Sequence, residues 1–265
     1  MAITQTPLFP CGDEFIVTEM HPLLDVASSV ERTERIPDIS IIIPVLNESR
    51  RIVAFLESLQ RLRAMGAEVV VVDGGSTDDT VRLAAGYADS VLTGRCGRGV
   101  QMNAGAATAN GRVLLFLHAD TDLPPTAFDA IGRACRNGAV WGRFDVKIEG
   151  TSRGLDMVAF MMNWRSRWSG IATGDQAIFV TRGAFDRAGG FPGIPLMEDL
   201  VLSRRMRAIS RPVCLREKVT TSGRRWDKHG LLRTICTMWW LRLKFHFGAS
   251  PDDLAQEYGY APREH

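Results

Sequence analysis

The sequence predicts an α/β fold, a mostly parallel twisted sheet flanked by helices, and three observations carry that prediction. Runs such as Val69–Val72, Val113–Leu117 and Ile39–Ile43, the last interrupted only by Ser40, are apolar on both faces, as strands between two helical layers must be. The stretches between them repeat apolar residues at helical spacing. Each run also ends in a polar loop, and in open parallel sheets ligands sit beyond the carboxyl ends of the strands.

The elements follow in order. Residues 1–37 have little periodicity, carry several prolines and end at Ile36-Pro37, which reads as an N-terminal extension. Ile39–Ile43 form a β-branched strand that Pro44 stops, and Ile52, Phe55, Leu56, Leu59 and Leu62 then mark one face of a helix. Val69–Val72 is a second strand ending at Asp73; after the "DGGSTDD" loop, Thr80, Val81, Leu83 and Ala84 predict a helix with an acidic first turn. A short strand over Ser90–Leu92 leads into a glycine-rich loop holding Arg98, an Ala-rich helix from Gln101 to Asn110 closed by Gly111, and the strand Val113–Leu117. Beyond about residue 123 longer strands (Val140–Ile148, Gln176–Thr181, Val213–Ser222) alternate with helices, so a second half is expected to pack on the first with no linker. The helix Leu155–Trp168, with Met157, Met161, Met162 and Trp164, suits either the core or the wall of a binding site.

Composition narrows the classes. With 32 basic against 30 acidic residues, nothing pulls the whole chain toward nucleic acid, and any anion site must be local. Five scattered cysteines without a C-x-x-C spacing argue against a disulfide framework and a zinc knuckle, and point to a reducing, cytoplasmic setting. The N-terminus lacks the basic and apolar regions of a signal peptide, and no stretch reaches the ~18 apolar residues that a membrane span needs. "LLRTICTMWWLRLKFHFG" is amphipathic and basic. It can lie on the inner face of a membrane as a peripheral contact or pack on the sheet, and packing is preferred because a core helix needs no second explanation.

The question the sequence poses is why the apolar run Val113–Leu117 ends in "HADTD", three groups able to bind metal or carry protons within five residues. Taken singly, acids at strand ends are most often caps or turn residues, and Asp122, before Leu-Pro-Pro, reads as a turn. The ordered set is more specific. "PVLNES", "VVDGGSTDDT", "GRGVQMNAGAATANG", "LLFLHADTDLP" and "GDQAIFVTRGAFDRAGGFPGIPLMEDLVLSRRMR" together resemble family 2 glycosyltransferases with the GT-A fold, over roughly residues 39–226. The "HAD" form is most similar to a subgroup encoded beside radical-SAM and selenium-domain proteins.

The resemblance implies a nucleoside-diphosphate sugar as donor, UDP- or GDP-linked, a hydroxyl acceptor, inversion at the sugar, and no nucleic-acid partner. It also implies a divalent cation, Mn²⁺ or Mg²⁺, on Asp120, which matches the second acid of the family's Asp-x-Asp motif; His118 occupies the first position. Pro44, Glu48, Asp73, Gly75 and Arg98 match the nucleotide side, with Gly74 and Gly75 leaving room for ligand against backbone. Asp199 matches the base that deprotonates the acceptor, with Glu198 beside it, although two acids in a first helical turn also suit the helix dipole. Asp175 and Gln176 are expected to border the acceptor or donor sugar. Arg225 and Trp226 resemble a basic-aromatic motif over the diphosphate, without its usual leading Gln. The corresponding partition is an extension 1–37, a catalytic unit 38–226 with a nucleotide-binding half 38–122 and an acceptor half 123–226, and a helical segment 227–265 packed on it.

Two rivals remain at this level. A sugar-phosphate nucleotidyltransferase also puts a nucleotide and cation at a sheet edge, but usually through a glycine-rich first loop that "PVLNESRR" lacks. A nucleotide-sugar-binding protein without activity is the second. A dinucleotide-binding dehydrogenase is disfavoured because no G-x-G-x-x-G follows the first strand.

Overall fold

The computed structural model describes residues 16–18 and 38–260. A strand β1 (Ile16–Thr18) is followed by β2 (Ile39–Val45), α1 (Ile52–Ala64), β3 (Glu68–Asp73), α2 (Thr80–Ala84), β4 (Ser90–Thr93), α3 (Arg98–Thr108) and β5 (Val113–Phe116). The second half holds β6 (Thr121–Asp122), α4 (Ala127–Arg136), β7 (Trp141–Glu149), α5 (Leu155–Ser169), a 3₁₀ turn (Gly174–Gln176), β8 (Ile178–Thr181), α6 (Arg182–Ala188), α7 (Glu198–Ile209) and β9 (Val213–Ser222). Three helices close the chain: α8 (Arg224–His229), α9 (Leu231–His246) and α10 (Pro251–Tyr258).

The strands form one sheet in the order β1-β4-β3-β2-β5-β8-β7-β9-β6. The pairs β2/β3, β2/β5 and β3/β4 are parallel, so the loops after β2, β3 and β5 emerge at the same edge, as the apolar runs predict. Side-chain alternation then feeds two cores. Ile41, Ile43, Val69, Val71 and Leu115 face a layer with α1, α4 and α5, whereas Ile42, Val70, Val72, Leu114 and Phe116 face α3, α6 and α7. The sheet is therefore an α/β sandwich with helices on both sides, and every one of these strand residues is at most 3% exposed.

Several details differ from the sequence expectation. The second half is held by antiparallel pairs, β5/β8 and β7/β8, with β7/β9 parallel. β1, from the expected extension, pairs antiparallel with β4 as an edge strand; the rest of 1–37 lies outside the described residues. Gln176 belongs to the 3₁₀ turn and not to a strand, because Thr173 and Gln176 form a reciprocal capping box there. Asp122 is not a turn residue: with Thr121 it forms a short strand against β9, opposite Thr220. Arg98 is the first residue of α3 and not part of the loop before it.

Close contact of α3 with the sheet depends on Gly105. A Cβ there would come within 2.5 Å of the Ile42 Cγ2 and 2.9 Å of the Val72 Cγ2, so only glycine lets the helix lie this near β2 and β3.

Candidate active site

The loops after β2 and β3 are laced together by their own polar groups. The Asn47 amide donates to Ser76 Oγ (2.8 Å), the Glu48 amide to Thr80 Oγ1 (2.8 Å), the Ser49 amide to Asp78 (3.1 Å) and the Thr77 amide to Asn47 Oδ1 (2.8 Å). Asn47 makes its bridge from a left-handed conformation, φ 54°, which asparagine tolerates. Thr80 and Ser49 hold the Asp78 carboxyl down at about 2. Asp73 is 1% exposed and accepts from the amides of Gly75 and Ser76, each at 2.9 Å, and from the Ser76 hydroxyl. Its carboxylate thus shapes the turn, and Gly75 supplies the φ of +86° that the turn needs. Pro44 is buried in β2 opposite Val72. Gln101, not singled out from sequence, ties the loops from below by donating to Val45 O (2.9 Å) and Val72 O (2.7 Å).

Beyond β5 a cavity of about 410 Å³ is lined by His118, Asp120, Asp175, Arg224, Arg225 and Trp226, among others. His118 Nδ1 stands 3.6 Å from Asp175 Oδ1, an ion-pair distance longer than a hydrogen bond. Burial pushes the imidazole's proton affinity down, but the facing Asp175, with Asp120 nearby, reverses this and leaves it raised. The same pairing holds Asp175 below its usual range against the opposite push of burial. Half of the Asp175 side-chain surface is open, yet that surface faces into the cavity with protein around it. Gly174 makes the arrangement possible, since a Cβ at that position would overlap the imidazole of His118.

Asp120 lies 3.8 Å from Arg224, a residue the sequence reading passed over. Glu48 connects this cavity to the first two loops: burial raises its carboxyl, Arg224 lowers it and Asp120 raises it again, so all three groups share one neighbourhood. Pro44, Glu48, Asp73 and Gly75 do not line the cavity itself.

Arg98 and Glu198 meet across α3 and α7, 2.9 Å apart, with the Glu198 side chain only 3% exposed. Burial raises the Glu198 carboxyl although Arg98 opposes it, and Glu198 Oε2 has no hydrogen-bond partner among the described residues. Arg98 also reaches the cavity and stands over the Tyr260 ring at 5.9 Å. Asp199, at the start of α7, accepts from the Gly174 amide (2.9 Å) and from its neighbour Leu200 (2.7 Å). It thereby holds the turn that carries Asp175, behind the cavity wall. Gln176 is fully buried, bound to Thr173 and Asn163, and does not reach the cavity.

The far wall comes from the C-terminal helices. Arg225 packs under the Tyr258 ring, 3.5 Å from its centroid, and donates to Tyr258 O (3.2 Å). Thr234, Met238, Tyr258 and Tyr260 line the same cavity. No motif pointed to these four, because a lone tyrosine near a terminus carries no spacing signal.

The donor set bears on a metal. Among the described residues no three His, Cys, Asp or Glu side chains cluster as ligands, so a closed structural site does not fit. A hard divalent cation that takes one or two carboxylates and fills its shell with phosphate oxygens and water does fit Asp120, with His118 beside it.

Comparison with known proteins gives a consistent result. The family described as Glycosyl transferase family 2 matches residues 40–194, more than half of the chain. A PGL/p-HBAD biosynthesis glycosyltransferase of Mycobacterium bovis is 32% identical over 175 residues, 58% of this chain and 63% of that protein, so the chain spans under two thirds of its relative's length. Among solved structures, S. aureus TarS 1-349 in complex with UDP-GlcNAc superposes with a TM-score of 0.57 at 19% identity, covering 70% of this chain and 58% of that one. The mannosyltransferase PcManGT from Pyrobaculum calidifontis, in complex with GDP-Man and Mn²⁺, gives 0.54 at 21% identity, covering 69% and 56%. At these identities the structural likeness speaks for the fold alone.

Proposed function

The chain belongs to glycosyl transferase family 2, and from that premise we propose that it transfers a sugar from a UDP- or GDP-linked donor to an acceptor hydroxyl with inversion at the sugar. The observation that carries this reading is the convergence of His118, Asp120, Asp175 and Arg224 on one cavity beyond the carboxyl end of β5. Glu48 joins that cavity to the laced loops after β2 and β3. The donor's base and ribose lie along those loops, against Pro44, Asp73 and Gly75, and its diphosphate lies toward Asp120 and Arg224. Asp120, with His118, would hold Mn²⁺ or Mg²⁺. Bound there, the cation neutralises charge on the departing diphosphate. Two proteins of the same fold hold UDP-GlcNAc, or GDP-Man and Mn²⁺, which is the precedent for such a donor and cation.

Arg224 and Arg225 supply fixed positive charge to the same leaving group, Arg225 being oriented by the Tyr258 ring. In the direct displacement, the acceptor oxygen attacks the sugar's anomeric carbon as the bond to the diphosphate breaks, and Asp199 takes the hydroxyl proton. Its two backbone hydrogen bonds orient the carboxylate while leaving lone pairs for the proton. One observation favours a second assignment of that last role: Asp175 lines the cavity and Asp199 does not. In the partition proposed here, residues 38–122 bind the nucleotide, 123–226 meet the acceptor and the segment from 227 closes the cavity. The "HAD" form supports placing the chain, as part of this proposal, in the subgroup encoded beside radical-SAM and selenium-domain proteins.

The test has two stages. A thermal-shift panel of UDP-, GDP-, dTDP- and CDP-sugars with and without Mn²⁺ should raise the Tm for one nucleotide class only, and more so with metal. Donor hydrolysis is then measured in Asp120→Asn, Asp175→Asn and Asp199→Asn. Asp120→Asn should lose the metal-dependent shift. The base is the aspartate whose variant keeps donor binding but loses hydrolysis. No shift with any sugar nucleotide, or release of pyrophosphate from a nucleoside triphosphate and a sugar phosphate, would overturn the reading.

A further inference from the structure

Two helices present apolar residues to solvent where burial would be expected. Along α5, Met157, Met161, Trp164 and Trp168 follow one another at steps of four, three and four residues, with Phe160 beside them. That spacing puts them on one face, and all five are exposed, Trp168 to 83%. The opposite face of α5, with Leu155, Val158, Ala159 and Ser166, is buried.

Helix α9 repeats the pattern. Leu232, Trp239 and Leu243 share a face that Phe247 extends, with Trp240 at its edge, and Leu232 and Phe247 are 75% and 78% exposed. Only Thr234 and Leu241 of α9 are buried. The segment does pack, through Leu231, Ile235 and Leu241, but the face with Leu232, Trp239 and Leu243, expected to be buried with it, is exposed. The helices adjoin at their amino-terminal ends, where a Cβ on Gly154, which precedes α5, would lie 3.5 Å from Leu231 at the start of α9, and both border the cavity through Met162 and Met238.

Charge selects the occupant. Helix α9 contains no acidic residue; its Arg233 is exposed, whereas Arg242 is partly buried and feels Asp199 and Asp175, and Lys244 pairs with Glu257. Exposed Arg153, Lys228 and Arg233 stand at the amino-terminal end of the two helices with no ion-pair partner among the described residues. The local exceptions are Asp156 on α5, Asp227 on α8, which accepts from the Thr151 and Ser152 amides, and Glu257, which pairs with Lys244 and accepts from the Trp240 indole. Two exposed apolar stripes on adjoining helices, with four exposed tryptophans and basic residues at one end, match the boundary of a bilayer, where indole rings sit at headgroup level and cations meet lipid phosphate. No helix among the described residues is long and apolar enough to cross a membrane, so the contact is a peripheral one.

We propose that α5 and α9 form a platform that docks the protein on an anionic lipid bilayer. The platform does not depend on the sugar-transfer reading. It also adjoins the cavity, because Met162 of α5 and Met238 of α9 line it. The test is co-sedimentation of the full chain with vesicles of phosphatidylcholine alone and of phosphatidylcholine mixed with phosphatidylglycerol, with tryptophan emission followed in parallel. The protein should pellet with the mixed vesicles, shift its emission to the blue and be released by salt. Trp168→Glu/Trp239→Glu, whose exposed positions leave the Tm unchanged, should weaken binding roughly tenfold or more, since it removes two interfacial anchors and adds two repelled charges. Failure to bind mixed vesicles overturns the proposal, as does equal binding by the double variant. So does a dimer, seen by light scattering without lipid, that the double variant dissociates, since a second copy would then cover the stripes.

Discussion

At the scale of single residues, the candidate site depends on small groups that leave room for larger ones. Gly174 is the sharpest case, because its missing Cβ is where the imidazole of His118 lies. Gly174→Ala should displace His118 from Asp175 and abolish the metal-dependent part of any sugar-nucleotide thermal shift. The unfolding free energy without ligand should fall by no more than the ~1–3 kcal/mol typical of overpacking. A variant with an unchanged Mn²⁺ response would show that the position of His118 is irrelevant to the site. Asp78 gives a prediction in pH. Thr80 and Ser49 hold its carboxyl at about 2, below the unfolded value of 3.8, so its contribution to stability is present above that unfolded value and disappears as pH falls toward 2. Asp78→Asn should therefore lower the Tm at pH 7 and match the wild type near pH 2. Melting curves across that range decide it; a deficit that persists unchanged at the acid end would refute the assignment.

At the scale of elements, the Arg98–Glu198 pair clasps the start of α3 to the start of α7. Glu198 is 2% exposed, and an unpaired buried carboxylate costs roughly 3 kcal/mol or more. Arg98→Ala should accordingly destabilise by about that amount at neutral pH, and less in acid, where the Glu198 carboxyl, already raised by burial, takes up a proton. Arg98→Ala/Glu198→Gln should recover much of the loss. Denaturant titrations of the three proteins at two pH values test this, and a double variant no more stable than Arg98→Ala would exclude the clasp. The same pairing changes the reading of two motif residues: Arg98 is committed to α7 as well as to the cavity, and Glu198 has a structural reason to be acidic.

At the scale of the whole molecule, the cavity belongs to both ends of the described chain. Strand ends from the first half supply His118 and Asp120, while Thr234, Met238, Tyr258 and Tyr260 close the opposite side. Tyr258→Ala removes the ring over Arg225 and should cost about 0.5–2 kcal/mol of stability. The donor-induced thermal shift should fall as well, because a freed Arg225 would no longer be held at the wall where the diphosphate is proposed to lie. Isothermal titration with the nucleotide sugar chosen by the thermal panel would measure it; an unaltered Kd would remove the C-terminal segment from the site.

Much of this was legible in the chain alone, and the reason is locality. Apolar runs, helical spacing and the loops that end them depend on neighbours in sequence, so the strand-loop-helix succession from Ile39 to Leu117 and the helices Leu155–Ser169 and Leu231–His246 could be read directly. The motif series also pointed to Asp120 and His118 at the end of β5. What the sequence could not decide is which groups meet across the sheet. Only the folded chain brings Arg224 to Asp120 and Asp175 to His118, and turns Gln176 inward while leaving Asp175 on the wall. Those outcomes follow from strand order and from the approach of helices distant in sequence, and neither leaves a periodic trace in the residues themselves. The exposed stripes on α5 and α9 make the same point in reverse: an apolar periodicity reads identically whether its face meets a core or the outside, and only the packing of the opposite face tells which.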